Sequence, residues 1–275
     1  MNGLLPRRSN AWVMLVSLFL ISTWSPGASA QPNFLYVAHL SNAITGYSID
    51  SSTGVLKQLA WSPFPTGRTP QGLAATPNGQ FLFVATNTDD AVSAYSIQGD
   101  GSLRFIGAFP AGRSPNAATV DPTGSFLYVG NCNSNNISAY KIDPMSGELT
   151  NIEGSPFLSG VCPEQLAMDP AGNFLYTGNV STVSAFTVNA ATGQLTPISA
   201  PIPAGPSECF IAIDRTGKFL YSANNEPETG DFTDSASNPL LAFFIFWQDS
   251  LSSRTSASVG QSPTLRSHSY ISPKI

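Results

Sequence analysis

Short apolar segments recur along the chain at a nearly constant interval, and polar turns separate them. Five segments share an aromatic residue, a leucine, a second aromatic residue and then small or β-branched residues: Phe34–Ala38, Phe81–Ala85, Phe126–Gly130, Phe174–Gly178 and Phe219–Ala223. Their first residues are spaced 45 to 48 positions apart. A period in the forties that is built on a strand pattern is typical of the blades of a β-propeller.

One repeat unit predicts four strands, which we name A to D in chain order. In the second unit they are residues 71–76, 81–85, 91–97 and 102–109. The turn Pro77–Gly79 separates A from B, the turn Gly99–Gly101 separates C from D, and their glycines allow a positive φ. Tight connections of this kind join antiparallel neighbours. Strands A and B are continuous apolar runs, which is expected when neighbouring blades cover both faces of a sheet.

The pattern begins at a strand B and ends in an irregular unit. Strands B, C and D are followed by four groups of A to D, and in the last group residues 240–246 replace strand C. The sequence therefore predicts an all-β fold, a β-propeller of four-stranded antiparallel blades with about five blades visible. Two forms remain open: an arc of a larger propeller, or a small ring that a strand A from Thr264 onward would close.

An aromatic residue recurs at one position of strand C. It is found in four units, as Tyr47, Tyr95, Tyr140 and Phe186. We expect these rings to pack between blades rather than to stack on a ligand.

The first 30 residues differ from the repeats. Arg7 and Arg8 precede an apolar run from Trp12 to Trp24, and Ala28–Ala30 matches the cleavage pattern of a secretory signal peptide. We predict a secreted or periplasmic protein with no stable membrane insertion after cleavage; an uncleaved anchor is the alternative. The predicted parts are a signal peptide (1–30), propeller blades (31–263) and an irregular C-terminal tail (264–275).

Composition and charge exclude some classes of function. Charged residues are 11% of the chain, and 23 glycines and 22 prolines supply many turns, as an all-β protein requires. The net charge is −5 and the repeats contain no cluster of Lys or Arg. Nucleic-acid binding needs a basic face, so it is not expected.

The repeat motifs resemble those of a known family. They include Pro122–Asn131 (PTGSFLYVGN), Asn136–Asp143 (NISAYKID), Ser146–Leu149 (SGEL) and Gly154–Phe157 (GSPF). With these motifs, the chain resembles the lactonase-type β-propeller family, which is 6-phosphogluconolactonase-like and usually seven-bladed. The resemblance covers residues 33 to about 225 and continues loosely to 263. It implies an incomplete member of that family and a hydrolase that acts on lactones.

Candidate ligand-binding residues lie where strand A begins. Strand A lines the central channel, and the D–A and B–C loops share one face because the four strands alternate in direction. The start of strand A is then the mouth of the channel. Four residues after the glycine of each D–A loop, the chain has Gln71, Asn116, Glu164, Cys209 and Thr264.

Two arginines and one histidine are expected on the same face. Arg68 and Arg113 each follow the glycine of a D–A loop, and His39 follows the first strand B. Two arginines could hold a carboxylate by paired hydrogen bonds, and a partly buried Glu164 could act as a general base. The alternative is that the arginines are solvated and Glu164 caps a turn.

The remaining chemistry is sparse. Cys132 and Cys162 are both expected at the mouth, so a disulfide between them is one possibility, and a Cys162–Cys209 pair is the other. Aspartates in the B–C loops are expected to serve turns, and no metal site and no cofactor are predicted. The loop aspartates considered were Asp89, Asp90, Asp231 and Asp234.

Two functions fit these observations. The first is an extracytoplasmic hydrolase of a sugar or organic-acid lactone. The second is a non-catalytic propeller that binds a small molecule, a glycan or a protein partner, because variable loops on a rigid ring suit binding. Fold alone does not separate them.

Overall fold

The computed structural model describes residues 33–224 and three two-residue strands further along the chain. Almost all of the regular structure is β-sheet, which confirms the predicted fold class. In the first two blades the strands are β1 (Asn33–His39), β2 (Ala43–Ile49), β3 (Leu56–Gln58), β4 (Phe64–Pro65), β5 (Pro70–Ala75), β6 (Phe81–Thr86), β7 (Ala91–Ile97) and β8 (Leu103–Pro110).

The next blades continue the same order. The third has β9 (Pro115–Val120), β10 (Phe126–Asn131), β11 (Asn136–Ile142), β12 (Leu149–Asn151) and β13 (Phe157–Leu158). The fourth and fifth have β14 (Gln165–Met168), β15 (Phe174–Val188), β16 (Leu195–Pro197), β17 (Ile202–Ile213) and β18 (Phe219–Asn224). The last short strands are β19 (Phe243–Phe244), β20 (Phe246–Trp247) and β21 (Ser256–Ala257), and two 3₁₀ turns lie at Asn87–Asp89 and Cys132–Ser134.

The first three blades are separate antiparallel sheets with their strands in sequence order, and the strands of the fourth and fifth blades form one sheet. The second blade runs β5-β6-β7-β8, and the third runs β9-β10-β11-β12 with β13 also paired to β11. The first blade begins with β1 in the position of strand B, as the sequence predicts. The predicted signal peptide, the tail from 264 and the closing strand lie outside the described residues. Among those residues, no helix is long and apolar enough to cross a membrane.

Two predicted loops are absent as separate elements. The segment Phe174–Val188, predicted as strands B and C joined by a loop, is one continuous strand, β15, with Ser181 in the left-handed conformation near its middle (φ 63°). Likewise β17 contains both the end of the fourth blade and strand A of the fifth, because it pairs with β15 and then with β18. In the fifth blade β20 pairs with β18 in the place of strand C, at Phe246 and Trp247.

The apolar core is divided into clusters that lie between successive blades. Residues of β1, β2 and β4 pack against β5, β6 and β7 in one cluster, and the other clusters join the second to the third, the third to the fourth and the fourth to the fifth blade. The strand C aromatics Tyr95, Tyr140 and Phe186 are at most 2% exposed within these clusters. Packing between blades is therefore confirmed for these rings.

Tyrosine hydroxyls link neighbouring blades through the core. Tyr36 donates to the carbonyl of Gly101 (2.7 Å) and Tyr128 to that of Gly193 (2.9 Å), each in the C–D turn of the following blade. Burial raises the pKa of both phenols, so they remain neutral donors. The equivalent residue in the second blade is Phe83, which has no hydroxyl group.

We expect Tyr128→Phe to lower the free energy of unfolding by about 1 kcal/mol, because a buried carbonyl loses its donor. The reciprocal change Phe83→Tyr places a hydroxyl at the equivalent position, opposite Gly147, and is expected to be neutral or stabilising. Urea unfolding measures both changes. A loss of stability from Phe83→Tyr that equals the loss from Tyr128→Phe would contradict this account of the hydroxyl.

The A–B turns are capped by a residue at the end of strand A. Asp121, Asp169 and Asp214 each accept the backbone N–H of the first residue of the next strand B, at 2.7, 2.6 and 2.9 Å. In the second blade Thr76 does the same for Phe81 (3.0 Å). The hydrogen bonds lower the pKa of Asp214, led by the bond from Thr216. These side chains therefore fix the turn between strand A and strand B.

Candidate functional site

Loops of adjacent blades are joined on one face, which we call the mouth face. The side chain of the left-handed residue in a B–C loop accepts a backbone N–H from the following D–A loop. The three pairs are Asn42 with Thr69 (2.9 Å), Asp90 with Ser114 (2.8 Å) and Asn135 with Cys162 (2.9 Å). All six residues have φ between 51° and 62°. The B–C and D–A loops therefore lie together, and their side chains share one surface.

The strands A of the second, third and fourth blades lie next to one another. Gln71 lies in β5 and Asn116 in β9, both half-buried, and Glu164 immediately precedes β14. The amide of Asn87, in the 3₁₀ turn of the second blade, donates to Asn116 Oδ1 at 2.5 Å. The side chain of Cys209 and residue Thr264 lie outside the described part of the structure.

Arg68 is already paired. Its Nε donates to Asp89 Oδ1 at 2.5 Å and its backbone N–H donates to Asp89 Oδ2 at 2.6 Å. These contacts, led by the backbone hydrogen bond, hold the pKa of the Asp89 carboxyl below its ordinary value. The guanidinium side chain is 65% exposed, so this ion pair is solvated. Asp89 and Asp90 therefore serve the loops, as expected from turn chemistry; Asp231 and Asp234 lie outside the described residues.

Arg113 differs from Arg68. Its backbone N–H donates to Ser134 Oγ at 2.8 Å, in place of the aspartate that holds Arg68. Its side chain is exposed, and no described residue forms a salt bridge with it. Of the two predicted arginines, Arg113 is thus the one without a carboxylate partner in the described region.

Glu164 lies beside a disulfide. Cys132, in the B–C loop of the third blade, is bonded to Cys162, in the D–A loop that leads into the fourth. This is one of the two pairings that the sequence left open. Glu164 Oε1 is 3.3 Å from Cys162 Sγ, and the Glu164 backbone N–H donates to the carbonyl of Gly178 (2.9 Å). Within the described chain, Cys132, Cys162 and Glu164 form a group in which one metal-ligating atom of each residue lies within 4.8 Å of the other two.

His39 contacts its own hairpin. Its Nε2 is 2.7 Å from Thr45 Oγ1, on the paired strand β2. The equivalent residues of the next blades, Thr86, Asn131 and Asn179, are 1%, 0% and 0% exposed. Their residue types do not predict this burial.

Gln165 joins two neighbouring blades, a contact that the sequence does not predict. Its Oε1 accepts the backbone N–H of Ile211 at 2.8 Å, which joins strand A of the fourth blade to strand A of the fifth. The repeat pattern points to the residue four positions after the loop glycine, which is Glu164 in this blade, whereas Gln165 is one residue later. The pairing of β14 with β15 shows that Gln165 is the first residue of the strand and that Glu164 precedes it.

Comparison with known proteins supports the fold. A family model described as "Lactonase, 7-bladed beta-propeller" matches residues 28–162 and 155–233. A search of the curated proteins gave no match.

Solved structures with a similar fold come from several bacteria. A candidate 6-phosphogluconolactonase of Bacteroides uniformis has a TM-score of 0.66 and 21% identity over 87% of this chain and 70% of its own. The periplasmic gluconolactonase of Pseudomonas aeruginosa has a TM-score of 0.64 and 16% identity over 86% and 70%. Hydrazine synthase of Kuenenia stuttgartiensis has a TM-score of 0.59 and 20% identity over 80% and 60%.

These comparisons differ in what they show. At such identities the solved structures establish the fold alone, and the chain spans 60% to 70% of their length. The family model, in contrast, matches residues from 28 to 233 of the 275, which include all five strand B motifs. The chain therefore belongs to the lactonase family of seven-bladed β-propellers.

Proposed function

We propose that the protein is an extracytoplasmic hydrolase that opens a lactone of a sugar or organic acid at the mouth face. Membership of the lactonase family supports this proposal, and so does the likeness to a periplasmic gluconolactonase. The predicted signal peptide favours a lactone without a phosphate group, because sugar phosphates are cytoplasmic. The partner is then a small-molecule lactone or carbohydrate.

One observation carries the proposal. A half-buried carboxylate, Glu164, and an exposed guanidinium, Arg113, lie on loops that flank the same B–C loop of the third blade. Arg113 contributes its carbonyl to the N–H of Asn133 (3.2 Å), and the loop of Glu164 is joined to Asn135 through Cys162. A carboxylate and a guanidinium thus lie in the D–A loops on either side of this B–C loop, which supports the proposal.

The chemistry of lactone opening uses both groups. Water attacks the ring carbonyl, and Glu164 takes the proton of that water as a general base. Arg113 presents N–H donors that stabilise the negative charge of the tetrahedral intermediate and then of the carboxylate product. Glu164 then returns this proton to the ring oxygen, which leaves as an alcohol. One lactone and one water thus give one hydroxy acid, whose carboxyl group releases a proton at neutral pH.

We expect Glu164→Gln to lower kcat/KM for a lactone substrate by about 10²- to 10⁴-fold, the range for a general base. Arg113→Ala is expected to lower kcat, because the donor that stabilises the negative charge of the tetrahedral intermediate is lost. A panel of sugar and organic-acid lactones, with the released proton measured at constant pH, gives both constants. The matched controls are Glu148→Gln and Arg104→Ala, which remove the same charges from exposed sites away from the mouth.

The controls decide the outcome. Activity that is unchanged in both Glu164→Gln and Arg113→Ala would contradict the assignment of these two residues to the active site. Activity lost equally in the control variants would point to general charge effects instead.

A specific observation favours the second function, a non-catalytic binding propeller. Several predicted mouth residues are bound to one another: Arg68 to Asp89, Asn116 to Asn87, and His39 to Thr45. A polar surface that satisfies its own groups suits a rigid platform for a small molecule, glycan or protein. Absence of activity on every lactone of the panel, with the fold intact, would favour this alternative.

A further inference from the structure

We propose that the dithiol form of Cys132 and Cys162, together with Glu164, binds a soft divalent cation of the Zn²⁺ class, and that the disulfide form does not. The site would be redox-gated: the same two sulfurs form either a bond to each other or two bonds to the metal. The proposal goes beyond lactone hydrolysis and does not depend on it.

The positions of the ligand atoms support a metal site. The sulfurs and a Glu164 oxygen lie within 4.8 Å of one another. The Cα atoms of the two cysteines are 3.6 Å apart, so parallel side chains place two separate sulfurs at a similar distance. Two thiolates on one tetrahedral zinc, each bonded at about 2.3 Å, are roughly 3.8 Å apart. Reduction therefore needs only a side-chain rearrangement to reach the spacing of a metal dithiolate.

The backbone holds these donors independently of the disulfide. The N–H of Cys132 donates to Ser114 O (2.9 Å), and the N–H of Cys162 donates to Asn135 Oδ1 (2.9 Å). The N–H of Glu164 donates to Gly178 O (2.9 Å). Each ligand residue is thus anchored to a different neighbour, and breaking the S–S bond leaves all three anchors in place.

The donor set selects the class of cation. Thiolates are soft ligands that favour zinc and its heavier analogues over Mg²⁺ or Ca²⁺. Two thiolates and one carboxylate give three protein ligands, and a tetrahedral cation then keeps a fourth position for water. Cys132 and Glu164 are half-buried whereas Cys162 is buried, so this fourth position would face the mouth.

The chemistry balances with one external reductant. A dithiol reductant gives two electrons and two protons to the protein disulfide, forms its own cyclic disulfide and leaves two cysteine thiols. The cation then displaces the two thiol protons and binds both thiolates and the carboxylate. In the metal-bound form Glu164 is a ligand and no longer available as a base.

The test uses Cd²⁺, whose bond to thiolate gives an ultraviolet charge-transfer band. The full chain carries Cys209→Ala, so that the third cysteine contributes nothing. It is titrated with Cd²⁺ in the oxidised form and again after reduction with dithiothreitol and anaerobic desalting; Zn²⁺ competition then gives the affinity for zinc. We expect the band in the reduced protein only, at one cation per chain, with loss on Cys132→Ser.

Glu164→Gln tests the third ligand. We expect the band to remain but the affinity to fall by about 10- to 100-fold or more, since loss of even an outer partner of a metal ligand costs that much. Glu148→Gln is the matched control and should leave the affinity unchanged. The proposal fails if the reduced protein gives no band, if Cys132→Ser keeps it, or if Glu164→Gln binds as tightly as its control. This readout is independent of lactone hydrolysis, so its failure is distinct from failure of that function.

Discussion

Gly72→Ala is expected to destabilise the propeller by about 1–3 kcal/mol, the cost of overpacking a filled interior. Gly72 lies in β5, where strands A of the second and third blades approach each other. A Cβ there would lie 2.7 Å from Ala118 N, 2.8 Å from Ala117 Cα and 2.8 Å from Asn116 O. All three are backbone atoms, so no side-chain rotation relieves the contact and the two blades must separate.

The matched control for this change is Gly99→Ala. Gly99 has nothing within 4 Å of the added Cβ and does not have a positive φ. Alanine there should be neutral or stabilising by several tenths of a kcal/mol, because it restricts the unfolded chain. Urea midpoints of the two variants, at unchanged slope, give the comparison. Equal stability of the two would show that the strands A are not in tight contact.

Loss of the Cys132–Cys162 disulfide is expected to cost about 3–4 kcal/mol of unfolding free energy. The two cysteines are 30 residues apart, and a cross-link that closes a loop of this length restricts the unfolded chain by that amount. The double variant Cys132→Ala with Cys162→Ala should therefore unfold at a lower urea concentration than the parent chain.

A reductant separates the cross-link from the packing of the sulfurs. Treatment of the parent protein with dithiothreitol should reproduce most of the loss, and the double variant should not respond to it. Cys209→Ala is the control for a general effect of removing a cysteine. A parent protein whose urea midpoint is insensitive to reduction would contradict the assignment of a stabilising disulfide.

The sequence predicts the strands because the turns between them contain characteristic residue types. Turn glycines such as Gly79 and Gly124 have φ of 70° and 76°, which few other residues adopt, so they mark the boundaries of strands A and B. The sequence does not predict the continuous strand β15, because the residue at its bend is Ser181. Serine is not a residue type that indicates a left-handed conformation. Thr69 and Ser114, which each precede a proline, also have a left-handed conformation that their residue types do not indicate.

The sequence predicts which loops carry the candidate residues but not the contacts that these residues make. Arg68 and Arg113 have equivalent positions in successive repeats, so the alignment of the repeats is enough to predict that both lie on one face. Which arginine is paired depends on one residue 21 positions later: Asp89 follows Arg68, and Ser134 follows Arg113. These pairs form because the B–C loop folds back onto the D–A loop. The spacing of residues in one sequence does not show this contact between the loops.

The division of the core into clusters between successive blades has a consequence for how such chains change over time. Each blade depends on the next through one shared apolar interface and a few loop hydrogen bonds, so stability is close to a sum over neighbouring pairs. A duplication or loss of one whole unit then preserves every remaining interface except at a single junction. Modular growth of this kind lets the number of blades drift while the geometry of each unit is inherited unchanged.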